Sequence, residues 1–230
     1  MHLDYRNRTG RGPGRAVRAL GLVVPGVARV WAQSEPYADA WHTHNLEILN
    51  RPGRRWIVLG DSLSQGIGAS SYDAGWVGQV DRRLQARGHH LQILNLSATG
   101  ARVRDVIDQQ LPVLNSIGVR DDDVITVMVG SNDLFGGRRS QLGHDFAELI
   151  ERVPIGAVVT TLPQPTRATD QANGHIERAA AQGRIVMADL RVTGPGSWRG
   201  RLAGDYFHPN DAGYASLATA LEQAMLPVIG

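Results

Sequence analysis

The sequence predicts an α/β fold in which helices cover both faces of a five-stranded parallel sheet, so that the domain has three layers, α/β/α. Five apolar runs of strand length recur along the chain, and stretches with helical spacing separate them. The runs are continuous rather than alternating, which is typical of strands covered on both faces. Strands that alternate with helices favour parallel pairing, because a parallel pair needs a crossover connection. The predicted strands are residues 56–60, 91–96, 124–130, 157–162 and 185–190.

The predicted helices carry apolar residues at intervals of three and four positions, which places these residues on one face. In the first of them Trp41, Asn45 and Ile48 are expected to face the core. A last helix is expected to open at Pro209, since proline suits the first position of a helix. The predicted helices before this last one are residues 36–49, 75–87, 102–116, 140–152 and 168–182.

Residues 1–53 are predicted to be a basic N-terminal extension, partly disordered with one or two helices, and residues 54–230 are predicted to be the folded domain. The charge is unevenly placed: residues 1–30 carry six arginines and one aspartate, although the net charge of the whole chain is only +2. A charge-rich terminus with several glycines favours disorder, which we expect for residues 1–14.

Residues 15–32 place Val17 and Leu20 at helical spacing with later apolar residues, but Pro25 and Gly26 interrupt the pattern. Three interpretations stay open for this segment. It could pack on its own domain, make weak contact with a membrane surface, or be a signal segment. The signal-like pattern is poor, which favours a cytoplasmic location; a secreted or envelope-associated protein is the alternative.

The composition excludes several kinds of chemistry. The chain has no cysteine, which removes disulfides, thiolate metal sites and cysteine nucleophiles. All 24 residues counted as lysine or arginine are arginines, so Schiff-base and P-loop lysines are absent. No run of about 20 apolar residues occurs, and we expect no membrane-spanning helix. The arginine-rich start has no interleaved aromatic residues, and no nucleic-acid partner is expected.

The most informative motif is Gly60-Asp61-Ser62-Leu63, which follows the first predicted strand and puts the Ser62 hydroxyl at its tip. A hydroxyl is a weak nucleophile at neutral pH and needs a base within hydrogen-bond reach. His208 is the best candidate, because the long irregular segment before it could reach over the sheet. Asp205 could accept from the other ring nitrogen and fix the tautomer. Taken alone, Ser62 could be a helix cap, and Asp205 with His208 a surface pair.

Gly100 and Asn132 follow two further strands and are predicted to share one crevice with Ser62, because ligands of such sheets bind beyond the carboxyl ends of the strands. Attack on an ester creates an oxyanion. The backbone N–H groups of Ser62 and Gly100 and the side-chain amide of Asn132 are the candidate donors to it. Taken alone, Gly100 could be a turn glycine and Asn132 a cap.

With these motifs, the chain resembles the SGNH, or GDSL-type, hydrolase family of esterases, lipases and thioesterases. The four blocks of the family occur in order as Gly60-Asp61-Ser62-Leu63, the block around Gly100, Gly130-Ser131-Asn132-Asp133, and Asp205 with His208. The resemblance covers residues 56 to about 225. It implies a flavodoxin-like sheet, hydrolysis without a metal or other cofactor, and the catalytic and oxyanion-hole roles described above. The extension before residue 54 lies outside these blocks.

The leading hypothesis is a serine hydrolase that cleaves carboxylic esters or thioesters of small to medium acyl groups through an acyl-enzyme on Ser62. The same residues would serve an acyltransferase or a carbohydrate deacetylase. A non-enzymatic alternative is a membrane- or partner-binding module that uses residues 1–32. The expected partner is a small-molecule acyl ester, and the oligomeric state is left open.

Three residues are predicted to line the substrate pocket. Leu134 and Phe135 directly follow the Asn132 block, and Trp198 lies in a glycine-rich loop near the segment that carries His208. No metal site is predicted. His42 and His44 lie two positions apart on a helix and therefore point to different faces.

Overall fold

The computed structural model describes residues 3–12 and 23–230. Within these residues, five strands form one parallel sheet in the order β2-β1-β3-β4-β5, which is the flavodoxin-like order. All four neighbouring pairs of strands are parallel. The predicted parallel sheet is confirmed. The strands are β1 (Arg55–Gly60), β2 (Gln92–Asn95), β3 (Val124–Met128), β4 (Val158–Thr160) and β5 (Val186–Ala188).

Helices connect the strands at each position where the sequence predicts one. A π-helical segment, Val106–Gln110, lies between the helical stretches Val103–Asp105 and Leu111–Ile117, and a 3-10 turn, Arg139–Gln141, precedes the helix Leu142–Arg152. The last helix begins at Asp211 rather than at Pro209, because the Asn210 side chain accepts the Gly213 N–H at 3.1 Å and caps it. The helices are α1 (Pro25–Trp31), α2 (Ser34–Ile48), α3 (Ser62–Gln65), α4 (Trp76–Ala86), α5 (Val103–Asp105), α6 (Leu111–Ile117), α7 (Ser131–Phe135), α8 (Leu142–Arg152), α9 (Arg167–Ala181), α10 (Leu190–Thr193) and α11 (Asp211–Ile229).

The sheet has a hydrophobic core on each face. Alternate residues of β1 point to opposite faces: Ile57 and Leu59 belong to one core, and Trp56 and Val58 to the other. Helices α5, α6, α8 and α9 cover the first face, while α4 and α11 cover the second. Helix α2 lies beside the edge strand β2, and its predicted core residues are all buried. The domain is therefore a three-layer α/β/α sandwich.

The expectation of disorder is wrong for residues 3–12, which lie against the domain beside β2. Leu3, Tyr5 and Asn7 are buried, whereas Asp4 and Arg6 between them are exposed. The charged residues that suggest disorder are thus the outward half of a strand-like alternation, and the inward half packs on the core. The predicted domain boundary after residue 53 stays a prediction.

For the segment 15–32, the predictions for Val17 and Leu20 concern positions outside the described residues. Its later part forms α1, whose Val27 and Val30 are buried against the domain. Packing on the domain therefore describes residues 25–31, while the membrane-surface and signal interpretations stay predictions. In the described part of the chain no helix is both long enough and apolar enough to cross a membrane.

Candidate active site

Ser62 lies in the sharp turn between β1 and α3. Gly60 ends the strand with φ of +151°, and a Cβ at this position would lie 2.2 Å from the carbonyl oxygen of Met128, so only glycine fits. The Asp61 side chain caps α3 by accepting the Leu63 N–H at 3.0 Å. Because Asp61 supplies the cap, Ser62 is the first residue of the helix, and its hydroxyl is left for another partner.

That partner is His208. Nε2 of His208 lies 3.0 Å from the Ser62 hydroxyl oxygen, and Nδ1 lies 2.6 Å from a carboxylate oxygen of Asp205. When Nδ1 carries the proton shared with Asp205, the neutral ring offers its Nε2 lone pair to the hydroxyl. The structure thus places the three predicted catalytic residues in one hydrogen-bonded line.

The Asp205 carboxylate is held ionised by its surroundings. Burial raises the pKa of Asp205. The hydrogen bond and charge of His208 and hydrogen bonds from two backbone N–H groups lower it, and together they outweigh burial, so the pKa lies below the usual 3.8. Those N–H groups belong to Phe207 and His208 and donate to the other carboxylate oxygen at 3.1 and 3.0 Å. A carboxylate fixed by this many donors orients the imidazole and stabilises its charged form.

The loop that carries His208 packs closely against Gly68, just after the end of α3. At Gly68, where φ is +97°, an added Cβ would lie 2.8 Å from the His208 Cβ and 2.5 Å from the Pro209 carbonyl oxygen. A side chain here would push the loop away from Ser62. The Ala203 N–H donates to the His208 carbonyl at 2.8 Å, which fixes the loop from its other side.

The predicted oxyanion donors are the N–H groups of Ser62 and Gly100 and the side-chain amide of Asn132. The Ser62 N–H lies in the first turn of α3, where an intrahelical partner is not available. The Asn132 amide donates to the carbonyl of Ala101, the residue after Gly100, at 3.0 Å. The Asn132 amide therefore lies beside the loop that carries Gly100, while the role of the three groups stays a prediction.

Asp61 is a site residue to which the sequence analysis gave no role, although it lies inside the first motif. It is completely buried, and its second carboxylate oxygen accepts the Ser131 hydroxyl at 2.8 Å. The Asn132 amide nitrogen lies 3.5 Å from the same oxygen. Burial raises the pKa of Asp61 to about 6, against the opposing effects of the Leu63 N–H, the Ser131 hydroxyl and the charge of His208.

A cavity of about 90 Å³ adjoins these residues beyond the carboxyl ends of β3 and β4. Chain neighbours of the site residues form part of its wall: Leu63 follows Ser62, Ser131 precedes Asn132, and Phe207 and Pro209 flank His208. Most of the remaining wall is apolar, and it includes Met128, Val129, Phe135, Leu162, Pro163, Leu190, Trp198 and Leu217.

Of the three predicted pocket residues, Phe135 and Trp198 line the cavity and Leu134 does not. Leu134 is 4% exposed and packs in the core with α8 and α9. Successive residues of a helix point about 100° apart, so Phe135 can face the cavity only while Leu134 faces inward. Phe207 also lines the cavity but was not among the predicted residues; its ring lies edge-on to that of Phe135 with centroids 5.3 Å apart. Its position next to His208 is the signal that could have identified it.

In residues 3–12 and 23–230, no group of three histidine or acidic side chains is placed to hold a metal ion. Nε2 of His42 instead lies 3.2 Å from an Arg6 guanidinium nitrogen.

Comparison with known proteins identifies similar esterases and an acyltransferase. The esterase TesA of Pseudomonas aeruginosa is 24% identical over 191 residues, which cover 75% of this chain and 88% of that protein. A crystal structure of TesA matches with a TM-score of 0.63 and 21% identity over 76% of this chain and 99% of that chain. The salicylyl-acyltransferase SsfX3 from a tetracycline biosynthetic pathway matches with a TM-score of 0.53 and 22% identity, over 78% of this chain and 57% of that one.

At such identities the structural matches establish the fold alone. The family is established by the sequence, because the model of the GDSL-like lipase/acylhydrolase family matches residues 58–216 and so includes every predicted catalytic and oxyanion residue. The chain belongs to the GDSL-like lipase/acylhydrolase family.

Proposed function

We propose that this protein is a serine esterase that hydrolyses carboxylic esters or thioesters of small to medium acyl groups through an acyl-enzyme on Ser62. The observation that carries the proposal is the line of hydrogen bonds from the Ser62 hydroxyl through His208 to Asp205, 3.0 and 2.6 Å long. Family membership supports ester hydrolysis as the reaction class.

In the acylation step, the Ser62 oxygen attacks the carbonyl carbon of the ester while Nε2 of His208 takes the hydroxyl proton. The carbonyl oxygen becomes an oxyanion, which the N–H groups of Ser62 and Gly100 and the Asn132 amide stabilise. When the tetrahedral intermediate collapses, the bond to the leaving oxygen or sulfur breaks, and His208 returns its proton to that atom.

In the deacylation step, water attacks the acyl-enzyme and gives a proton to His208. A second tetrahedral intermediate forms at the same donors, and its collapse releases the carboxylic acid and restores the Ser62 hydroxyl. Asp205 stays ionised throughout and stabilises the imidazolium, and a pKa below the usual value supports this role.

The cavity supports an acyl group of limited size. Its volume of about 90 Å³ is well below the roughly 300–1,000 Å³ of pockets that enclose drug-sized ligands. The wall is mostly apolar, as an alkyl chain requires. The mouth is open, since Phe135 and Phe207 are 62% and 42% exposed. A longer chain would therefore extend past these two rings into solvent.

Acyl transfer to an alcohol is the second candidate, and the similarity to a salicylyl-acyltransferase is the observation that favours it. The exposed aromatic rim argues for hydrolysis, because a transferase must keep water away from its acyl-enzyme. Adding a primary alcohol to the assay separates the two: a transferase forms the new ester at the expense of free acid.

The test is the hydrolysis of p-nitrophenyl esters of increasing acyl length by the wild type, Ser62→Ala and Ser64→Ala. Ser64 is a matched control, since it is buried in the same turn and its hydroxyl makes no hydrogen bond within the described residues. We expect Ser62→Ala to lower kcat by about 10⁴- to 10⁶-fold and Ser64→Ala to stay near wild type. Full turnover by Ser62→Ala would refute the proposal.

A further inference from the structure

Residues 3–12, here called the N-terminal strap, lie beside the loop that carries Gly100. Arg8 forms an isolated parallel bridge with Thr99, which lies beyond the end of the edge strand β2. The strap lies about 50 positions before the first family motif and outside the region that the family shares, residues 58–216. Family membership therefore does not account for it.

The inward side chains of the strap hold the backbone carbonyls of this loop one after another. Every second strap residue from position 5 to position 11 donates a hydrogen bond to a different carbonyl oxygen. The pairs are Tyr5 with Leu96 at 2.8 Å, Asn7 with Ser97 at 2.9 Å, Thr9 with Thr99 at 3.3 Å and Arg11 with Gly100 at 3.1 Å. Such a series requires the strap and the loop to stay in register.

Asn7 is the centre of the arrangement. It is 1% exposed and has φ of +57°, a left-handed conformation that asparagine tolerates better than most residues. Its carbonyl accepts the Gln65 side-chain amide at 2.9 Å, and the Gln65 oxygen accepts the Thr99 N–H at 2.7 Å. Because Gln65 ends the helix that Ser62 begins, the strap is tied to the nucleophile as well as to the Gly100 loop.

The hydrogen bond from Thr9 bears directly on the oxyanion donor. The Thr99 carbonyl and the Gly100 N–H belong to one planar trans peptide and point in opposite directions. Holding the carbonyl toward Thr9 therefore fixes the direction of the Gly100 N–H. Arg11 holds the next carbonyl and is itself paired with Asp105, at the start of the following helix.

We propose that the N-terminal strap is a positioning element of the oxyanion hole: Asn7 and Thr9 fix the Gly100 peptide so that its N–H faces the reacting carbonyl. The inference rests on the proposed esterase function. It makes Asn7 and Thr9 positioning residues, since they act on the substrate only through Gly100.

The test uses the full chain with four substitutions in the strap. Thr9→Val removes the hydroxyl and keeps the shape, Thr9→Ser restores the hydroxyl, and Asn7→Gly removes the amide while allowing the left-handed backbone. Arg8→Gln is the control, because the Arg8 side chain faces away from the loop and pairs with Glu35 and Asp39. A phosphonate that reacts with Ser62 is used to titrate the concentration of active sites, and kcat and KM for p-nitrophenyl acetate are calculated from that concentration. Hydrogen exchange of the backbone amides of residues 96–101 is measured on the same variants.

We expect kcat to fall about 10-fold in Thr9→Val and about 100-fold in Asn7→Gly, with KM within about twofold, because loss of a whole oxyanion donor lowers kcat about 10²- to 10³-fold. The inhibition constant of a trifluoromethyl ketone, whose adduct with Ser62 carries an oxyanion, should rise by the same factors. Thr9→Ser and Arg8→Gln should match wild type. Exchange at residues 96–101 should become faster only in Thr9→Val and Asn7→Gly.

Wild-type kcat and unchanged exchange in Thr9→Val would overturn the inference, and so would an equal loss of kcat in Arg8→Gln. If Asn7→Gly does not fold, Thr9→Val with its Thr9→Ser rescue still decides. Failure of the proposed function gives a different result: Ser62→Ala would keep full activity, while hydrogen exchange would still report whether the strap orders the loop.

Discussion

The carboxylate of Asp61 accepts a hydrogen bond from the Ser131 hydroxyl at 2.8 Å, although 70 positions separate the two residues. The contact joins the turn after β1, which carries Ser62, to the start of α7, which carries Asn132. Since Asp61 also caps α3, one buried carboxylate fixes the predicted nucleophile and a predicted oxyanion donor relative to each other. Its negative charge also faces His208, which favours the imidazolium that forms during catalysis.

Ser131→Ala tests this relationship. We expect kcat to fall about 10-fold with little change in KM, because the Asn132 amide is less well held when charge develops on the substrate. The Ser131 hydroxyl also lowers the pKa of Asp61. Its loss should therefore raise the pKa of Asp61 above about 6 and move the acidic limb of the pH–kcat profile to higher pH. Ser116→Ala, at an exposed position near the end of α6, is the control. An unchanged acidic limb would argue against a role for ionised Asp61.

Asp205→Asn is expected to lower kcat by about 10²- to 10⁴-fold at neutral pH. The amide can present its nitrogen to Nδ1 of His208 and favour the wrong tautomer, and it cannot stabilise the imidazolium. KM should change little, because Asp205 does not line the cavity. Steady-state kinetics of this variant beside Asp170→Asn, an exposed position on α9, give the comparison. Activity within about tenfold of wild type would mean that Asp205 is only a loop cap through its contacts with the Phe207 and His208 N–H groups.

Phe135→Ala is expected to shift the acyl-length preference toward longer chains. Phe135 lines the cavity and packs edge-on against Phe207, and its removal opens the rim without disturbing the buried core. The kcat/KM ratio of an eight-carbon to a two-carbon p-nitrophenyl ester should rise by about 5- to 10-fold, which corresponds to roughly 1 kcal/mol of altered discrimination. The substitution Leu134→Met, on the same helix but in the core, should leave the ratio unchanged. If both variants alter it equally, the effect comes from a loosened helix rather than from the pocket.

The sequence predicts the sheet and the hydrogen-bonded line of Ser62, His208 and Asp205 well, because both depend on local signals. Continuous apolar runs mark buried parallel strands, and the strand order of the fold brings residues that follow strand ends into one crevice. Asp61 and Phe207 could have been inferred as neighbours of the predicted site residues.

The remaining features depend on contacts that no local pattern records. Asn7 donates a hydrogen bond to the carbonyl of Asn95, which is 88 positions away. The local sequence points the other way, because the charged residues around Asn7 suggest a mobile tail. Gln110 lies in the π-helical segment and binds both the N–H and the carbonyl of Gly60 at 2.8 Å. A helix register would be needed to know that Leu134 faces the core and Phe135 the cavity. These are properties of the packed chain rather than of a sequence window.

Asp133, which follows Asn132, carries a buried charge whose effect on stability depends on pH. It is completely buried, and burial raises its pKa from 3.8 to about 6 in spite of the hydrogen bond from the Val103 N–H. The folded protein therefore binds more protons than the unfolded chain between these two pH values. The free energy of unfolding should accordingly decrease as the pH rises from about 4 to about 6, and the loss should persist above that range.

Asp133→Asn removes this titration, so its stability relative to wild type should increase between pH 4 and pH 7 by on the order of 1–3 kcal/mol. Part of the decline should remain in the variant, because Asp61 titrates in the same range. Urea unfolding at pH 4, 5, 6 and 7 measures the difference, with Asp170→Asn as the exposed control whose difference from wild type should not vary in this way. A constant difference between Asp133→Asn and wild type at all four pH values would show that folding does not shift the pKa of Asp133, and that its neighbours compensate the burial of its charge.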